Sequence, residues 1–306
     1  MNNTGGQSYA KGKVGLMDFT EKYAEYKKAV EDCLKLPELE NALLSEPIFH
    51  SLNAGGKRVR PILCLSFCEA YGGELKKALP VAAALEMLHT STLIQDDLPC
   101  MDDDDLRRGK PACHIAFSEA EAVLAASAMA YSAFRKIAEA LPQSASRLIK
   151  EICAYMGVEG VYGGQKLDMR YEREAEDVDS EKVLQMYRMK TCTLLQACCV
   201  SGCIIAGADE KALKNAAEYA YNLGLAFQIT DDILDEISSE AVLGKPVNSD
   251  ARNKKTTYVS LVGLEKAGRD AEKYTKEALS LLENLSVSQS KKFLTELTKN
   301  LLSREN

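Results

Sequence analysis

The stretch PVAAALEMLHTSTLIQDDLPCMDDDDLRRG, residues 80–109, joins an apolar helix to a dense group of acidic side chains. Residues 80–95 are apolar on nearly every side of a helix, which predicts that this helix is buried. Asp96 and Asp97 follow at its end, and four more aspartates occupy 102–105. Two carboxylates about 4 Å apart repel by roughly 4 kcal/mol at an effective dielectric near 20. The sequence therefore predicts that cations gather where this helix ends.

A second acidic cluster lies on another apolar helix, directly after the run 223–227. Its polar residues fall at i, i+3, i+4 and i+7 on one helical face: Gln228, Asp231, Asp232 and Asp235. An acidic stripe on a buried helix is tolerable only beside a wet cavity or bound cations. Hard oxygen ligands favour magnesium, which is usually shared with substrate phosphates. The two clusters together predict a central cavity with two carboxylate walls and diphosphate chemistry.

Composition is that of an ordinary globular protein. Of 306 residues, 46% are hydrophobic and 27% charged, and the formal net charge is −7. Nucleic-acid binders usually carry a basic surface, so this balance argues against such a partner. No stretch approaches the roughly eighteen uninterrupted apolar residues of a membrane span. The polar opening, residues 1–8, lacks the apolar segment of a signal peptide.

Ten cysteines raise the question of disulfides or zinc. Several stand at helical spacing among apolar residues, such as Cys64 with Cys68 and Cys199 with Cys203. Paired C-x-x-C patterns of the kind that bind zinc do not occur. We therefore predict buried free thiols in a reducing, cytoplasmic setting.

Helical patterns dominate the chain, and the alternation typical of strands is almost absent. The predicted helices cover residues 18–35, 61–71, 80–95, 120–140, 144–157 with a continuation to 170, 180–206, 210–236, 257–268 and 271–301. We find neither a linker nor an internal repeat and expect one all-α domain over residues 17–306, a large helical bundle around a central cavity. Residues 1–16 are expected to be a disordered tail or a vector-derived remnant.

From about residue 45 to the C-terminus, the chain resembles the trans-prenyl diphosphate synthases, the family of farnesyl and geranylgeranyl diphosphate synthases. The motifs that carry this resemblance are Gly55-Gly56-Lys57-Arg58-Val59-Arg60-Pro61, the first acidic cluster with Arg107-Arg108-Gly109, Gly163-Gly164-Gln165 with Asp168, Lys190-Thr191, Phe227-Gln228, the second acidic cluster with Lys245, and Lys255-Thr256-Thr257-Tyr258. A lone D-D-x-x-D pattern is weak, but so many motifs in the family's order are improbable by chance.

The resemblance implies an isoprenoid-synthase fold, a homodimer, and condensation of isopentenyl diphosphate with an allylic diphosphate. Three magnesium ions, replaceable by manganese, would bind Asp96, Asp97, Asp102, Asp231, Asp232 and Asp235. Catalytic roles are implied for Lys190, Thr191, Gln228 and Lys255. Substrate binding is implied for Gly56, Lys57, Arg60, His89, Arg107, Arg108, Gln165 and Lys245. The allylic substrate would be dimethylallyl, geranyl or farnesyl diphosphate.

Product length in this family depends in part on the residues five and four positions before the first motif, here Ser91 and Thr92. Bacterial farnesyl diphosphate synthases usually carry an aromatic residue at the fifth position, and its absence resembles geranylgeranyl synthases. A deeper pocket would favour a longer chain by about 0.8 kcal/mol per buried CH₂. We predict a bias to a C20 product, although Met87, Leu88 or a partner subunit could close the pocket and leave farnesyl diphosphate.

Two other functions share part of this pattern. A class I terpene cyclase also ionises a diphosphate at an acidic motif, but it typically has an Asn/Ser/Glu set in place of the second aspartate cluster. It also does not need the site formed by Lys57 and Arg60. A non-catalytic subunit of a heteromeric synthase tends to lose the aspartates that this chain keeps. Locally, residues 102–105 could be only a solvated acidic turn, in which Asp102 alone stands at a motif position, and His50 and His114 have no supported role.

Overall fold

The computed structural model describes residues 18–174, 177–243, 256–286 and 288–302. Within these ranges the chain is almost entirely helical, which confirms the predicted all-α fold class. No helix in them combines the length and apolar character needed to cross a membrane. The predicted tail, residues 1–16, and two predicted site residues, Lys245 and Lys255, lie outside the described ranges.

The described chain contains fourteen α-helices and one short hairpin. The helices are α1 Phe19–Cys33, α2 Ser45–Leu52, α3 Val59–Ala70, α4 Leu75–Asp96, α5 Cys113–Ala116, α6 Glu119–Ala140, α7 Ala145–Met156, α8 Val161–Arg173, α9 Ser180–Tyr187, α10 Thr193–Ile205, α11 Glu210–Leu243, α12 Tyr258–Val262, α13 Leu264–Leu282 and α14 Ser288–Leu302. The hairpin pairs β1, Leu106–Arg107, antiparallel with β2, Lys110–Pro111. A π-helical segment, Arg188–Cys192, joins α9 to α10.

The core is built around α4 and α10. Helix α4 packs against α3 and α6, while α10 packs against α3 and α11, and α13 packs against α11. Phe67, Leu85 and Tyr219 are among the largest side chains that this arrangement buries completely. Fully burying a Leu or Phe side chain contributes about 1.5–3 kcal/mol. The packing therefore fixes the ends of α4 and α11, which carry the acidic clusters.

Several predicted helix bounds are wrong. Helix α4 begins at Leu75, five residues before the predicted start at Pro80. Pro80 lies inside the helix, where it removes one backbone hydrogen bond without ending the helix. The predicted helix 180–206 is divided by the π-helical segment. The two predicted C-terminal helices are three, because Gly263 adopts φ 78° and the chain turns again after Leu282. Helix α2 and the hairpin were not predicted, since both are short.

Candidate active site

The C-terminal half of α4 presents a polar stripe to the interior. His89, Thr92 and Asp96 follow one another at helical spacing and line the same cavity. Burial raises the pKa of Asp96 to about 6, an effect that Lys190 opposes and Asp102 reinforces. A buried carboxyl group in this position keeps its proton to a higher pH than an exposed one.

The neighbouring Asp97 points away from this stripe. It is only 2% exposed, and its Oδ1 accepts a hydrogen bond of 2.8 Å from Nε of Arg107. The same guanidinium also contacts Oδ2 of Asp104 at 3.0 Å. The two adjacent aspartates therefore have different surroundings, one facing the cavity and the other holding an arginine.

The loop after α4 folds back onto the helix end. The backbone N–H of Asp102 donates to the carbonyl of Asp96 at 2.9 Å, which brings these two acidic residues together. Asp103 adopts φ 55°, and residues 102–105 are all exposed. The sequence pattern left open whether these four aspartates face solvent, and the structure places all four there, including Asp102.

The hairpin β1–β2 separates two consecutive arginines. Arg108 and Gly109 adopt φ 53° and 75°, the two positive φ values that a tight hairpin turn requires. Arg107 turns to Asp97, whereas Arg108 reaches the carbonyl oxygen of Gly55. One short turn thus directs Arg107 toward the acidic cluster and Arg108 toward the glycine loop, residues 55–58.

A cavity of about 490 Å³ lies between the glycine loop, α4 and α10. Its polar wall carries Lys57, Arg60 and Arg108, together with a buried pair formed by Arg58 and Glu86. The pair is neutral overall, so three formal positive charges remain. Nε of Arg60 is buried without a hydrogen-bond partner among the described atoms. Such a cluster of guanidinium and ammonium groups suits a diphosphate.

His89 lies against this cationic wall as a neutral imidazole. Burial lowers its pKa well below the usual value, and Arg60 lowers the pKa further. The nitrogens Nη1 of Arg60 and Nε2 of His89 are 3.2 Å apart. A guanidinium can only donate, so Nε2 is the acceptor and Nδ1 carries the proton. His89 thereby orients Arg60 without adding charge.

The second acidic wall is formed by α11. Asp232 is 8% exposed and accepts hydrogen bonds from the hydroxyl of Tyr187 at 2.5 Å and from the backbone N–H of Tyr258 at 3.2 Å. Burial nevertheless raises the pKa of Asp232 to about 6. These contacts fix the start of α12 against α11. Asp231 is partly buried, and Asp235 is exposed.

A pair of uncharged groups faces the space between the walls. The hydroxyl of Thr191 donates to Oε1 of Gln228 at 3.1 Å, across the contact between the π-helical segment and α11. Thr191 lines both the cationic cavity and the cavity beside Asp96. Oxygens at this position can face a positive centre without forming a bond to it.

Lys190 lies between α8 and the end of α4. Its Nζ is 2.6 Å from Oδ2 of Asp168 and 3.9 Å from Oδ2 of Asp96. The close approach of α8 needs Gly164, because a Cβ there would lie 2.6 Å from the Cα of Lys190. Helical segments of the π type are frequent at functional sites, where they aim one side chain out of register. Here that side chain is Lys190.

A second cavity, of about 390 Å³, extends from Asp96 between α4, α6, α8 and α10. Its walls are mostly apolar, with Leu98, Met101, Val123 and Leu194 among the lining residues. It shares Arg60, His89 and Thr191 with the cationic cavity, so the two spaces adjoin. An apolar space that begins at an acidic cluster suits a molecule with a diphosphate head and a hydrocarbon tail.

Most of the predicted site residues line these two cavities or touch residues that do. Those on the walls are Gly56, Lys57, Arg60, His89, Thr92, Asp96, Arg108, Gln165, Lys190 and Thr191. Ser91, in contrast, is completely buried, with its hydroxyl donating to the carbonyl of Leu88 at 2.7 Å, and is not a lining residue. The sequence reasoning missed Glu86 and Tyr187. A lone acidic residue on the apolar helix 80–95 was a signal that Glu86 needs a buried partner.

The donor set fits a hard divalent cation shared with a ligand. No three Asp, Glu, His or Cys side chains within the described ranges are placed to hold an ion unaided. Asp96 and Asp102 on one wall and Asp231 on the other offer carboxylate oxygens, the ligand type that magnesium prefers. Magnesium commonly completes its coordination with water and substrate phosphates, so an incomplete protein cage is consistent with that ion.

Comparison with known proteins gives a consistent result. A family model described as polyprenyl synthetase matches residues 41–297. Geranylgeranyl diphosphate synthase of Cyanophora paradoxa is 44% identical over 260 residues, which cover 83% of this chain and 86% of that protein. Farnesyl diphosphate synthase of Bacillus subtilis is 41% identical over 274 residues, covering 87% of this chain and 92% of that protein.

Solved structures show the same fold. Geranylgeranyl pyrophosphate synthetase from Pyrococcus horikoshii superposes with a TM-score of 0.82 at 30% identity, covering 94% of this chain and 98% of that one. A geranyltranstransferase from Thermotoga maritima gives a TM-score of 0.77 at 31% identity, covering 94% and 99%.

Proposed function

The chain belongs to the polyprenyl synthetase family, and we propose that its two adjoining cavities join isopentenyl diphosphate to an allylic diphosphate head to tail. It is a prenyltransferase of the short-chain farnesyl and geranylgeranyl diphosphate synthase type. The order of events would be ionisation of the allylic substrate, attack by the isopentenyl double bond, and loss of a proton.

Isopentenyl diphosphate occupies the cationic cavity in this proposal. Lys57, Arg60 and Arg108 hold its diphosphate, and Gly56 lets the backbone approach closely because it has no side chain. His89 keeps Arg60 oriented. Three positive charges suit a diphosphate without a metal ion, and guanidinium groups bind phosphate oxygens in pairs.

The allylic diphosphate lies between the acidic walls with its hydrocarbon in the apolar cavity. Asp96, Asp102 and Asp231 would hold up to three magnesium ions, or manganese, with Asp97, Asp232 and Asp235 in support. Such ions, when bound, offset the charge on the departing phosphate oxygens.

Protein cations would stabilise the same leaving group. Lys190 and Arg107 border the acidic cluster and supply N–H donors, and Gln165 offers a buried Nε2 without a partner among the described atoms. Lys245 and Lys255 are added from the sequence motifs. Removing one donor to charge that develops in a transition state typically costs about 10²–10³ in rate.

The carbocation left by ionisation lies near Thr191 and Gln228, whose oxygens stabilise it without bonding to it. The double bond of isopentenyl diphosphate supplies two electrons to form the new C–C bond. A neighbouring carbon then loses a proton, and the diphosphate that has just departed is the nearest base. Every atom is thereby accounted for in a longer prenyl diphosphate and free diphosphate.

One observation carries this proposal: the cationic cavity and the acid-lined apolar cavity meet at Arg60, His89 and Thr191. A single-substrate cyclase needs only the second cavity. The junction allows the tail carbon of one diphosphate to approach the head of another.

The test is product analysis with purified protein, magnesium, labelled isopentenyl diphosphate and each allylic primer in turn. We expect linear prenyl diphosphates, no reaction with chelator, and loss of at least about 10² in rate for Asp231→Asn. A cyclic hydrocarbon formed without isopentenyl diphosphate would identify a terpene cyclase instead. Turnover only after a second chain is added would identify a non-catalytic subunit.

A homodimer is proposed from the outward face of α6. Val123, Leu124 and Tyr131 are 47%, 56% and 76% exposed there, and Ile115 of α5 is 50% exposed. Several large apolar side chains exposed on neighbouring helices are typical of an interface, and two-fold dimers are the commonest assemblies. Val123 also lines the apolar cavity, so a second copy would cover its outer wall. The ten free thiols agree with a cytoplasmic enzyme.

A further inference from the structure

A buried ion pair lies in the wall of the cationic cavity. Arg58 and Glu86 are 5% and 2% exposed, and Nη1 of the arginine is 2.7 Å from Oε1 of the glutamate. The second guanidinium nitrogen, Nη2, donates to the carbonyl oxygen of Leu52 at 2.7 Å. Neither member of the pair has a role in the mechanism above.

A carboxylate is an unexpected component of a cavity that binds an anion. Glu86 lines the same cavity as Lys57, Arg60 and Arg108, so it cancels the charge of Arg58 and removes one positive charge that would otherwise attract a bound diphosphate. Stability alone does not explain it, because a buried ion pair is often no better than a well-packed apolar pair. Glu86 must therefore have a role that outweighs this loss of positive charge in the cavity.

The conformation of the glycine loop indicates the role of Glu86. Gly55 and Gly56 adopt φ 88° and 127°, and Arg58 adopts φ 54°, a value that non-glycine residues keep only when their surroundings hold them there. Helix α3 starts at the next residue, with Ile62 N–H bonded to the carbonyl of Arg58 at 3.1 Å. This left-handed turn directs the Arg58 side chain toward Glu86 and the carbonyl of Leu52.

The same turn leaves the two remaining cations on the cavity side. Lys57 and Arg60 flank Arg58 and both line the cavity. Two further hydrogen bonds hold the loop elsewhere: the Tyr23 hydroxyl donates to the carbonyl of Lys57, and Arg108 donates to that of Gly55. Among the described residues, Glu86 and the carbonyl of Leu52 are the two groups hydrogen-bonded to the Arg58 side chain, and Glu86 is the charged one.

We infer that Glu86 is a positioning residue for isopentenyl diphosphate binding: by holding Arg58 in its left-handed conformation, it aims Lys57 and Arg60 at the diphosphate. This inference rests on the proposed function of the cavity. It concerns binding of one of the two substrates, since neither Glu86 nor Arg58 lines the apolar cavity beside Asp96.

The test compares the two KM values for Glu86→Gln and Glu86→Asp. Glutamine removes the negative charge that offsets Arg58, so electrostatics alone would lower KM for isopentenyl diphosphate. Loss of positioning would instead raise this KM. Aspartate keeps the charge but is shorter by one CH₂. We expect both variants to raise this KM by about tenfold or more, equivalent to about 1.4 kcal/mol, with KM for the allylic primer changed by less than about twofold.

The chain supplies a matched control in the pair Lys22–Glu69, where Nζ and Oε1 are 3.0 Å apart and Lys22 is buried. Neither residue lines the two cavities of the site. Glu69→Gln should leave both KM values unchanged. An equal effect of Glu69→Gln on KM for isopentenyl diphosphate would show that loss of an ion pair outside the site acts through general stability.

A binding measurement makes the inference independent of turnover. Calorimetric titration with inorganic pyrophosphate in metal-free buffer should give about tenfold weaker affinity in Glu86→Gln than in the unmodified protein. If Glu86→Gln does not fold, Arg58→Lys serves in its place. Lysine keeps the charge but loses the N–H contact with Leu52, so this variant should show the same loss of pyrophosphate affinity. Affinity that is unchanged or tighter in the variant that folds would overturn the inference. Absence of prenyl product from the unmodified protein would instead refute the proposed function.

Discussion

Asp96 and Asp97 are adjacent in the chain but face different surroundings. Asp96 borders both Lys190 and the apolar cavity, while Asp97 is buried against Arg107. At the end of a helix, consecutive side chains point about 100° apart, so a pair of identical residues can serve two purposes. We expect Asp96 to matter for ligand binding and Asp97 to matter for the placement of Arg107.

Asp96→Asn separates stability from activity. The pKa of Asp96 is raised to about 6, so the folded protein binds more protons than the unfolded chain between about pH 4 and 6. The metal-free protein therefore loses stability as pH rises through that window. Asparagine removes this cost, so thermal melts without metal at pH 7.5 should show a gain of about 1–3 kcal/mol, while turnover falls at least about 10²-fold.

The difference in unfolding free energy between Asp96→Asn and the unmodified protein should shrink at pH 4. At that pH the side chain at position 96 is mostly uncharged in both folded proteins. A variant less stable than the unmodified protein at pH 7.5 would contradict this account of Asp96.

Thr92 provides a test of product length. Its side chain lines the apolar cavity, one helical turn below Asp96. Thr92→Phe should place a ring in the path of the growing hydrocarbon and shift products by at least one five-carbon unit toward shorter chains. Chromatography of products from excess isopentenyl diphosphate measures this shift. Thr92→Ala, which removes volume, should give no shorter product, and a Phe variant with the original product would place the end of the chain elsewhere.

Among the elements, the π-helical segment brings the two walls of the site together. It aims Lys190 at the acidic end of α4 and Thr191 at Gln228 of α11. Glycines on both neighbouring helices permit the contact, since a Cβ at Gly224 would lie 2.6 Å from Sγ of Cys192. The position of one cation thus depends on how closely three helices approach.

Gly164→Ala should push α8 away from this segment. A Cβ there meets backbone atoms of Lys190 that cannot yield, so we expect a loss of about 1–3 kcal/mol in unfolding free energy. The ion pair of Lys190 with Asp168 would be displaced, and kcat should fall by about tenfold or more.

Gly268→Ala on α13 is the matched control. No atom lies within 4 Å of its added Cβ, so it should be neutral or stabilising by up to about 1 kcal/mol, with unchanged kcat. Equal effects of the two substitutions in denaturant melts and steady-state assays would remove the close helix contact as the cause.

At the scale of the whole molecule, the exposed apolar face of α6 lies beside the apolar cavity. Val123 contributes to both, so the cavity wall is thin at this point. A second copy packed on this face would exclude water from behind the wall. Assembly and chain-length control would then act through the same surface.

The double variant Leu124→Lys and Tyr131→Lys should prevent assembly. Two buried lysines facing their copies would cost more than such an interface gains. Light scattering after gel filtration should give a mass near the 33.5 kDa of one chain instead of twice that value. Leu43→Lys, at a fully exposed leucine outside α6, should stay a dimer. A dimeric double variant would place the interface elsewhere.

Sequence and structure decided different parts of this protein. Periodicity and motif order predicted the all-α class and the family, because an apolar helix that ends in aspartates is a local property of the chain. The bounds of α4, the break at Gly263 and the π-helical turn depended on packing and could not be predicted. Only the tertiary structure shows that Asp96 and Asp97 have different surroundings and that Arg58 pairs with Glu86. Residues 28 positions apart in sequence form an ion pair only when the fold brings them together.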